Sequence, residues 1–162
     1  MNTYTTSKYF QLVVCAAFLF MAASCTKTET KTGQTAQTIS ATPSITFDSI
    51  SPIVAIKYQD TIRIVISYKD GDGDLGQDST DSKNLFVTDS RNNVTSQFRI
   101  PQLAPTGANI AIEGNLDIVL PAQIFTNDND SVETASYSIY IMDRAGHHSD
   151  TVTTTPITIK KQ

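Results

Sequence analysis

The alternation of side chains over residues 61–68 is the feature that most narrows the fold. Every second position of this segment is apolar: Ile62, Ile64, Ile66 and Tyr68. Because successive side chains of a β-strand point to opposite faces, the pattern predicts a strand with one packed face. From residue 25 onward the chain has 17 Ile and 7 Val but only 5 Leu. Since β-branched residues favour strands, the sequence predicts an all-β protein.

Seven further segments show strand patterns, and turn residues separate them. They cover residues 45–50, 53–58, 85–88, 97–100, 115–120, 137–142 and 151–159. Pro156 lies in the last of these and has no amide hydrogen to donate, so we expect it at an edge or a bulge. Eight short strands within residues 45–162 predict a two-sheet β-sandwich.

A short apolar run near the N-terminus has the length of a signal-peptide core. Residues 12–23 are apolar, which is too few for a helix to cross about 30 Å of hydrocarbon. Ala22, Ala23 and Ser24 then precede Cys25, and this arrangement resembles the cleavage site of bacterial lipoproteins. Ala22 departs from that pattern, which usually has Leu. The resemblance implies a lipoprotein signal peptide at residues 1–24 and lipidation at Cys25. The alternative is an ordinary secretion signal cleaved nearby.

Cysteine usage agrees with lipidation. The chain has two cysteines, and Cys15 lies inside the predicted signal peptide. Cleavage would leave Cys25 alone, and a secreted protein with one free thiol would be unusual. Several acyl chains on Cys25 would give lasting attachment, because each buried CH₂ contributes about 0.8 kcal/mol. We therefore expect a cell-envelope protein anchored by lipid to the outer membrane, on its periplasmic or its outer side.

The segment that follows Cys25 has the composition of a flexible stalk. Seven of the 19 residues at positions 26–44 are Thr, and Ile39 is their only large apolar residue. Such a segment buries too little surface to offset its chain entropy. We expect residues 25–44 to hold a domain of residues 45–162 away from the membrane. The alternative is an N-terminal strand near residues 38–41.

Two motifs resemble bacterial immunoglobulin-like domains. One is the turn at residues 143–147, with sequence DRAGH, in which Gly146 tolerates a positive φ. The other is the Ile-rich strand followed by an acidic glycine loop. The resemblance implies an immunoglobulin-like two-sheet β-sandwich, of the branch that lacks the Cys–Trp–Cys core of antibody domains. With Cys25, the whole chain resembles small surface lipoproteins of the Bacteroidetes type.

The acidic loop at residues 70–76, with sequence DGDGDLG, is the best candidate for metal binding. Its carboxylates repel one another unless a cation lies among them, and Ca²⁺ takes about six to eight oxygen ligands. The loop resembles the start of an EF-hand loop, which implies these ligands: Asp70, Asp72, Asp74, the Gly76 carbonyl, Asp78 and Asp81. Leu75 and Asp81 depart from that family, which has Gly and Glu there. No helix is predicted on either side, so we expect a calcium loop between strands; the alternative is a solvated turn.

A recurring Asp-Ser or Asp-Thr pair is similar to the O-glycosylation sequence of Bacteroidetes-type secreted proteins. The implied acceptors are Ser49, Thr61, Ser79, Ser131 and Thr151. The alternative is that these pairs mark places where loops enter strands, because Asp, Ser and Thr are common turn residues.

Composition and motifs narrow the function. A net charge of -4 argues against nucleic-acid binding, and the sequence has no P-loop, dinucleotide or nucleophile-elbow motif, so we expect no enzyme. We expect a non-catalytic module that binds or scaffolds an envelope protein or a glycan. The alternative is a glycan-binding accessory lipoprotein of a polysaccharide uptake system. Because Trp is absent, two other rings on one solvent face would favour that alternative, with these candidates besides Phe: Tyr58, Tyr68, Tyr137 and Tyr140.

Overall fold

The computed structural model describes residues 39–162, so the predicted signal peptide and Cys25 lie outside the described residues. The strands are β1 Ser44–Ser51, β2 Val54–Ile56, β3 Ile62–Asp70, β4 Leu85–Asp89, β5 Thr95–Phe98, β6 Ile112–Leu120, β7 Val132–Ala135, β8 Tyr137–Ile141, β9 Val152–Thr153 and β10 Ile157–Lys160. Residues 39–162 contain no helix, which confirms the all-β prediction. In particular, none of the described residues forms a helix of the length and apolarity that a membrane span requires.

The strands form three sheets that pack together, whereas two sheets were predicted. β3 lies between β1 and β6 in an antiparallel sheet. A second antiparallel sheet has the order β5-β4-β8-β9. β10 lies between β2 and β7, parallel to β2 and antiparallel to β7. Inward side chains from all three sheets form one apolar cluster, which is the arrangement of a β-sandwich.

β3 supplies the centre of the core. Ile62, Ile64 and Ile66 are fully buried, while Arg63 on the opposite face is exposed. Across the sheet, Ile64 lies opposite the buried Ile118 of β6. Burying one such aliphatic side chain contributes about 1.5–3 kcal/mol, so this strand is a main source of stability. The alternation in the sequence therefore identified the packed face correctly.

Several strands differ from the predicted bounds. β3 continues to Asp70 because β6 begins early enough to pair with it, at Ile112. β5 begins and ends two residues before the predicted segment, because the backbone N–H of Ile100 donates to Asn84 Oδ1 at 2.6 Å instead of joining a sheet. The last predicted segment divides into β9 and β10, with Pro156 between them.

β7 was not predicted, because its pattern is inverted. Val132 is exposed on this strand, whereas Glu133 points inward and is buried. An acid on the packed face breaks the apolar alternation by which strands are recognised. Arg91 makes this burial tolerable, because its Nη1 donates to Glu133 Oε2 at 2.8 Å.

The folded domain begins earlier than residue 45. Ser44 is the first residue of β1, Pro43 is buried, and the Ser40 carbonyl accepts a hydrogen bond from the Gly71 N–H at 2.8 Å. The stalk boundary predicted after residue 44 was therefore placed too late. Composition did not reveal this, because the hydrogen bond from Gly71 to Ser40 uses a backbone carbonyl that every residue type has. Residues 39–41 do not form a strand.

Candidate metal centre

Three carboxylates converge where β3 ends. Asp70 is the last residue of that strand and is 0% exposed, while Asp72 and Asp74 in the following loop are half-buried. Each offers one oxygen to a group in which all the oxygens lie within 4.8 Å of one another. The structure thus brings together Asp70, Asp72 and Asp74, which we call the Asp triad.

Glycines between the carboxylates allow the loop to pack tightly. Gly73 and Gly76 have φ values of 72° and 85°, a region that L-residues with side chains rarely adopt. A Cβ on Gly73 would overlap the carbonyl oxygen of Ile110, and a Cβ on Gly76 would overlap that of Pro101. Glycine is therefore required at both positions, and the loop is enclosed by neighbouring backbone.

One oxygen of each carboxylate in the Asp triad lacks a hydrogen-bond donor. Oδ2 of Asp70 accepts from the Leu75 N–H at 2.9 Å, and Oδ2 of Asp74 accepts from the Ala145 N–H at 3.0 Å. The Oδ1 atoms of all three residues are buried, and no group of residues 39–162 donates to them. Ionised carboxylates only accept hydrogen bonds and cannot satisfy one another. Residues 39–162 thus leave three of their own buried acceptors without a donor, which is costly.

The site also disfavours its own negative charge. Burial raises the pKa of Asp70 to about 6, and nearby Asp72 and Asp74 add to the shift while the Leu75 hydrogen bond opposes it. Burial likewise raises the pKa of Asp74, helped by the charges of Asp143 and Asp72. A proton or a cation among the carboxylates would relieve this repulsion.

Arg144 holds the acidic loop in place by donating hydrogen bonds to the carbonyl groups of the loop. Its Nη1 donates to the Gly76 carbonyl at 2.8 Å and its Nη2 to the Gly73 carbonyl at 3.2 Å. Its backbone N–H donates to the Asp74 carbonyl at 3.2 Å. The Gly76 carbonyl, a predicted metal ligand, is therefore engaged by a guanidinium group. Sequence analysis missed Arg144, although it lies within the DRAGH turn.

Asp78 and Asp81 do not join the Asp triad. Both are exposed, and the convergent carboxylate group found within residues 39–162 contains neither. Leu75 explains the departure, because it is fully buried and draws the chain into the core where an EF-hand loop would continue around its ion. Of the six implied ligands, the structure therefore brings together the carboxylates of Asp70, Asp72 and Asp74, while Asp78 and Asp81 lie outside that group and the Gly76 carbonyl is bonded to Arg144. Metal binding by these residues stays a prediction.

A row of stacked rings lies on the outer face of the four-stranded sheet. Phe86 of β4 lies opposite Tyr140 of β8, with ring centroids 4.6 Å apart and ring planes 8° apart. His148 also stacks against Tyr140, at 5.4 Å and 19°. We call these three residues the aromatic row. Sequence analysis missed Phe86 because its neighbours Leu85 and Val87 are also apolar, so no alternation marked its face.

The remaining candidate tyrosines are placed differently. Tyr68 and Tyr137 are buried in the core, and Tyr58 is exposed but belongs to neither stacked pair of the aromatic row. Of the four tyrosines, Tyr140 alone lies in the aromatic row. Two rings on one outer face is the arrangement that favours glycan binding.

The five implied glycosylation acceptors are all exposed: Ser49, Thr61, Ser79, Ser131 and Thr151. Exposure is necessary for modification, but it is also expected of loop residues next to strands. Glycosylation at these positions therefore stays a prediction.

No protein-family model, curated protein or solved structure matches this chain. Function must therefore be argued from the chain's own residues and their geometry.

Proposed function

We propose that this protein is a lipid-anchored, non-catalytic protein of the cell envelope whose β-sandwich is an immunoglobulin-like binding or scaffolding domain. The observation that carries the binding role is the aromatic row on an outer sheet face. Aromatic side chains are enriched where protein surfaces contact partners. The anchor rests on the apolar run and the Ala-Ala-Ser sequence before Cys25, in the part of the chain outside the described residues.

The strand order supports the immunoglobulin-like assignment. In such domains strands A, B and E share one sheet, and strands C, F and G share the other. If β1, β3 and β6 are taken as A, B and E, then β4, β8 and β9 correspond to C, F and G. β5 then extends the second sheet as an additional edge strand.

The surroundings of the aromatic row suit a partner with both apolar and polar groups. Phe86 and Tyr140 are half-buried and His148 is exposed, so part of the row is accessible to a partner. Beside the rings, the Thr88 and Thr95 hydroxyls form a hydrogen bond of 2.8 Å across two strands. An apolar strip next to hydroxyl groups is a surface that excludes water in part and still offers hydrogen bonds.

The second candidate is a glycan-binding accessory lipoprotein of a polysaccharide uptake system. The same aromatic row favours it, because sugar rings pack against exposed aromatic side chains. The geometry limits how they would do so: Phe86 and Tyr140 cover each other's faces at 4.6 Å. A sugar would therefore contact the ends of the row, at Phe86 or His148.

The anchor is tested by comparing two cysteine variants of the full chain. Cys25→Ser should abolish acylation and release the protein from the membrane fraction, whereas Cys15→Ser should leave both unchanged. Mass spectrometry of the mature N-terminus gives the direct readout. A wild-type protein that carries no acyl group on Cys25 would contradict the anchor.

The binding role is tested by affinity capture of the intact protein from its native envelope. Tyr140→Ala should lose the captured partner, while Asn115→Ala on the other sheet should retain it. Both variants are first checked for native thermal unfolding, because Tyr140 is half-buried. Glycans and envelope proteins are then identified separately in the captured material. Equal capture by wild type and Tyr140→Ala contradicts a role for the aromatic row.

A further inference from the structure

We propose that Asp70, Asp72 and Asp74 form a Ca²⁺ site, which fastens residues 39–40 and the 143–145 turn to the end of β3. This site shares no residue with the aromatic row and does not depend on the proposed binding function.

Asp70 distinguishes the Asp triad from an ordinary acidic turn. On an exposed turn, water would solvate each carboxylate and screen the repulsion between them. Asp70 is 0% exposed, it contributes one oxygen to the group, and its Oδ1 has no donor from residues 39–162. A buried charged oxygen without a partner is rare in folded proteins, so a positively charged ligand at this place accounts for it.

The donor set and its size fit Ca²⁺. All three ligands are carboxylate oxygens, which hard cations prefer, whereas Zn²⁺ prefers nitrogen and sulfur. Two ligands on opposite sides of Ca²⁺ are about 4.6–5.2 Å apart, since each lies about 2.3–2.6 Å from the ion. The oxygens of the triad lie within 4.8 Å of one another, so they are close enough to bind one Ca²⁺ together. Mg²⁺ suits the site less, because it demands near-ideal octahedral geometry and gives up its water reluctantly.

The charged groups beside the Asp triad, Arg144 and Asp143, do not supply the positive charge that the three carboxylates lack. The guanidinium of Arg144 is engaged by the carbonyls of Gly73 and Gly76. Asp143 adds a further negative charge nearby, and its own oxygens accept from the His147 backbone N–H at 2.7 Å and pair with the His147 ring at 2.9 Å. A proton shared between Asp70 and Asp72 would satisfy those two oxygens but leave Oδ1 of Asp74 without a donor. A cation satisfies all three.

Backbone contacts of the loop connect this site to two other segments. The Gly71 N–H donates to the Ser40 carbonyl at 2.8 Å, which ties the loop to the chain preceding β1. Asp74 accepts from Ala145 through its side chain and from Arg144 through its carbonyl. An ion that fixes the three carboxylates therefore also holds residues 39–40 and the turn at 143–145. Because residue 39 leads back toward Cys25, the ion strengthens the point where the chain enters the domain.

The test is thermal unfolding of the full chain in detergent, in EDTA, Ca²⁺ and Mg²⁺, with the pH well above the Asp70 pKa. With a Kd of about 10⁻⁴–10⁻³ M, about 10 mM Ca²⁺ should raise Tm by about 5–10 °C over EDTA. Mg²⁺ should raise it less. The same Tm in all three solutions would overturn the site.

Two variants identify the ligands. Asp72→Asn should lose most of the Ca²⁺-induced rise in Tm, yet its Tm in EDTA should not fall, because one repelling charge has been removed. Asp78→Asn is the matched control, since Asp78 is an exposed acid close by and outside the triad. It should keep the full rise. If Asp72→Asn and Asp78→Asn lose the Ca²⁺-induced rise in Tm equally, general screening of acidic charge explains the effect and the site is refuted.

Hydrogen exchange tests separately whether the ion holds residues 39–40 and the 143–145 turn to the end of β3. Ca²⁺ should slow exchange of the Gly71 amide and of the amides at residues 144–145 in the wild type, and should not slow them in Asp72→Asn. A rise in Tm without this protection would keep the ion site but refute its role in fastening the three segments.

Discussion

The buried ion pairs of Arg91 offer the sharpest test of what holds the sandwich together. The Arg91 side chain is 6% exposed and follows the end of β4. It donates to Asp89 at 2.6 Å, to Glu133 at 2.8 Å and to the Ile124 carbonyl at 2.8 Å. These contacts join β4, β7 and the loop between β6 and β7 around one guanidinium.

Arg91→Met keeps the apolar stem and removes the charge. It leaves the Glu133 side chain, which is 7% exposed, without its cation. Removing one partner of a buried pair costs about 3–5 kcal/mol, because the other charge stays buried and uncompensated. For a domain of this size about 1 kcal/mol corresponds to about 4 °C, so Tm should fall by about 12–20 °C.

Arg63→Met is the matched control for this experiment. Arg63 pairs with Asp117 across β3 and β6, but its side chain is 62% exposed. Exposed pairs contribute little, so Tm should stay close to that of the wild type. A second comparison adds Glu133→Gln to Arg91→Met, which should recover part of the loss because the unpaired charge is gone.

The Tm of each protein is measured by thermal unfolding at neutral pH, monitored by circular dichroism. The four proteins are the wild type, Arg91→Met, Arg63→Met and the double variant Arg91→Met with Glu133→Gln. A fall of less than about 4 °C for Arg91→Met would refute the reasoning, because it would mean that the cost of burying these charges already cancels their attraction. An equal fall for Arg63→Met would refute it as well, since burial would then not distinguish the two pairs.

Three further predictions concern pH, backbone and chain length. Burial acts to raise the pKa of Glu133, but hydrogen bonds from Asn127, Thr126 and Arg91 outweigh it and hold that pKa below its usual range. The ionised Glu133 side chain therefore stabilises the fold fully above about pH 4.5, and this stabilisation is lost as the pH falls through the lower pKa that Glu133 has in the folded state. Tm measured at a series of acidic pH values will show the loss. Gly76→Ala should destabilise far more than Gly107→Ala in urea unfolding, because both have positive φ but only Gly76 meets a carbonyl oxygen. A chain that begins at Ser44 should melt below one that includes residues 39–43, because it lacks the carbonyl that accepts from the loop.

Local alternation predicted β3, β6 and β8, three of the strands that supply core residues. The alternation in β3 names its packed face, because side-chain direction along a strand depends only on position in the sequence. The spacing of Asp70, Asp72 and Asp74 likewise sufficed to bring their oxygens together. Residues so near in sequence lie near one another in space, and Arg144 then braces their loop from a distant turn.

The rest depended on which distant segments meet. Glu133 lies inward on β7 because Arg91, 42 residues earlier, is there to pair with it, and no pattern within β7 carries that information. Phe86 faces Tyr140 through the register of β4 against β8, which is set only when the sheet forms. Asp78 and Asp81 lie outside the Asp triad because the buried Leu75 packs into a core built from several strands. Contacts between segments far apart in the chain depend on the packing of the whole domain, and only the tertiary structure decided them.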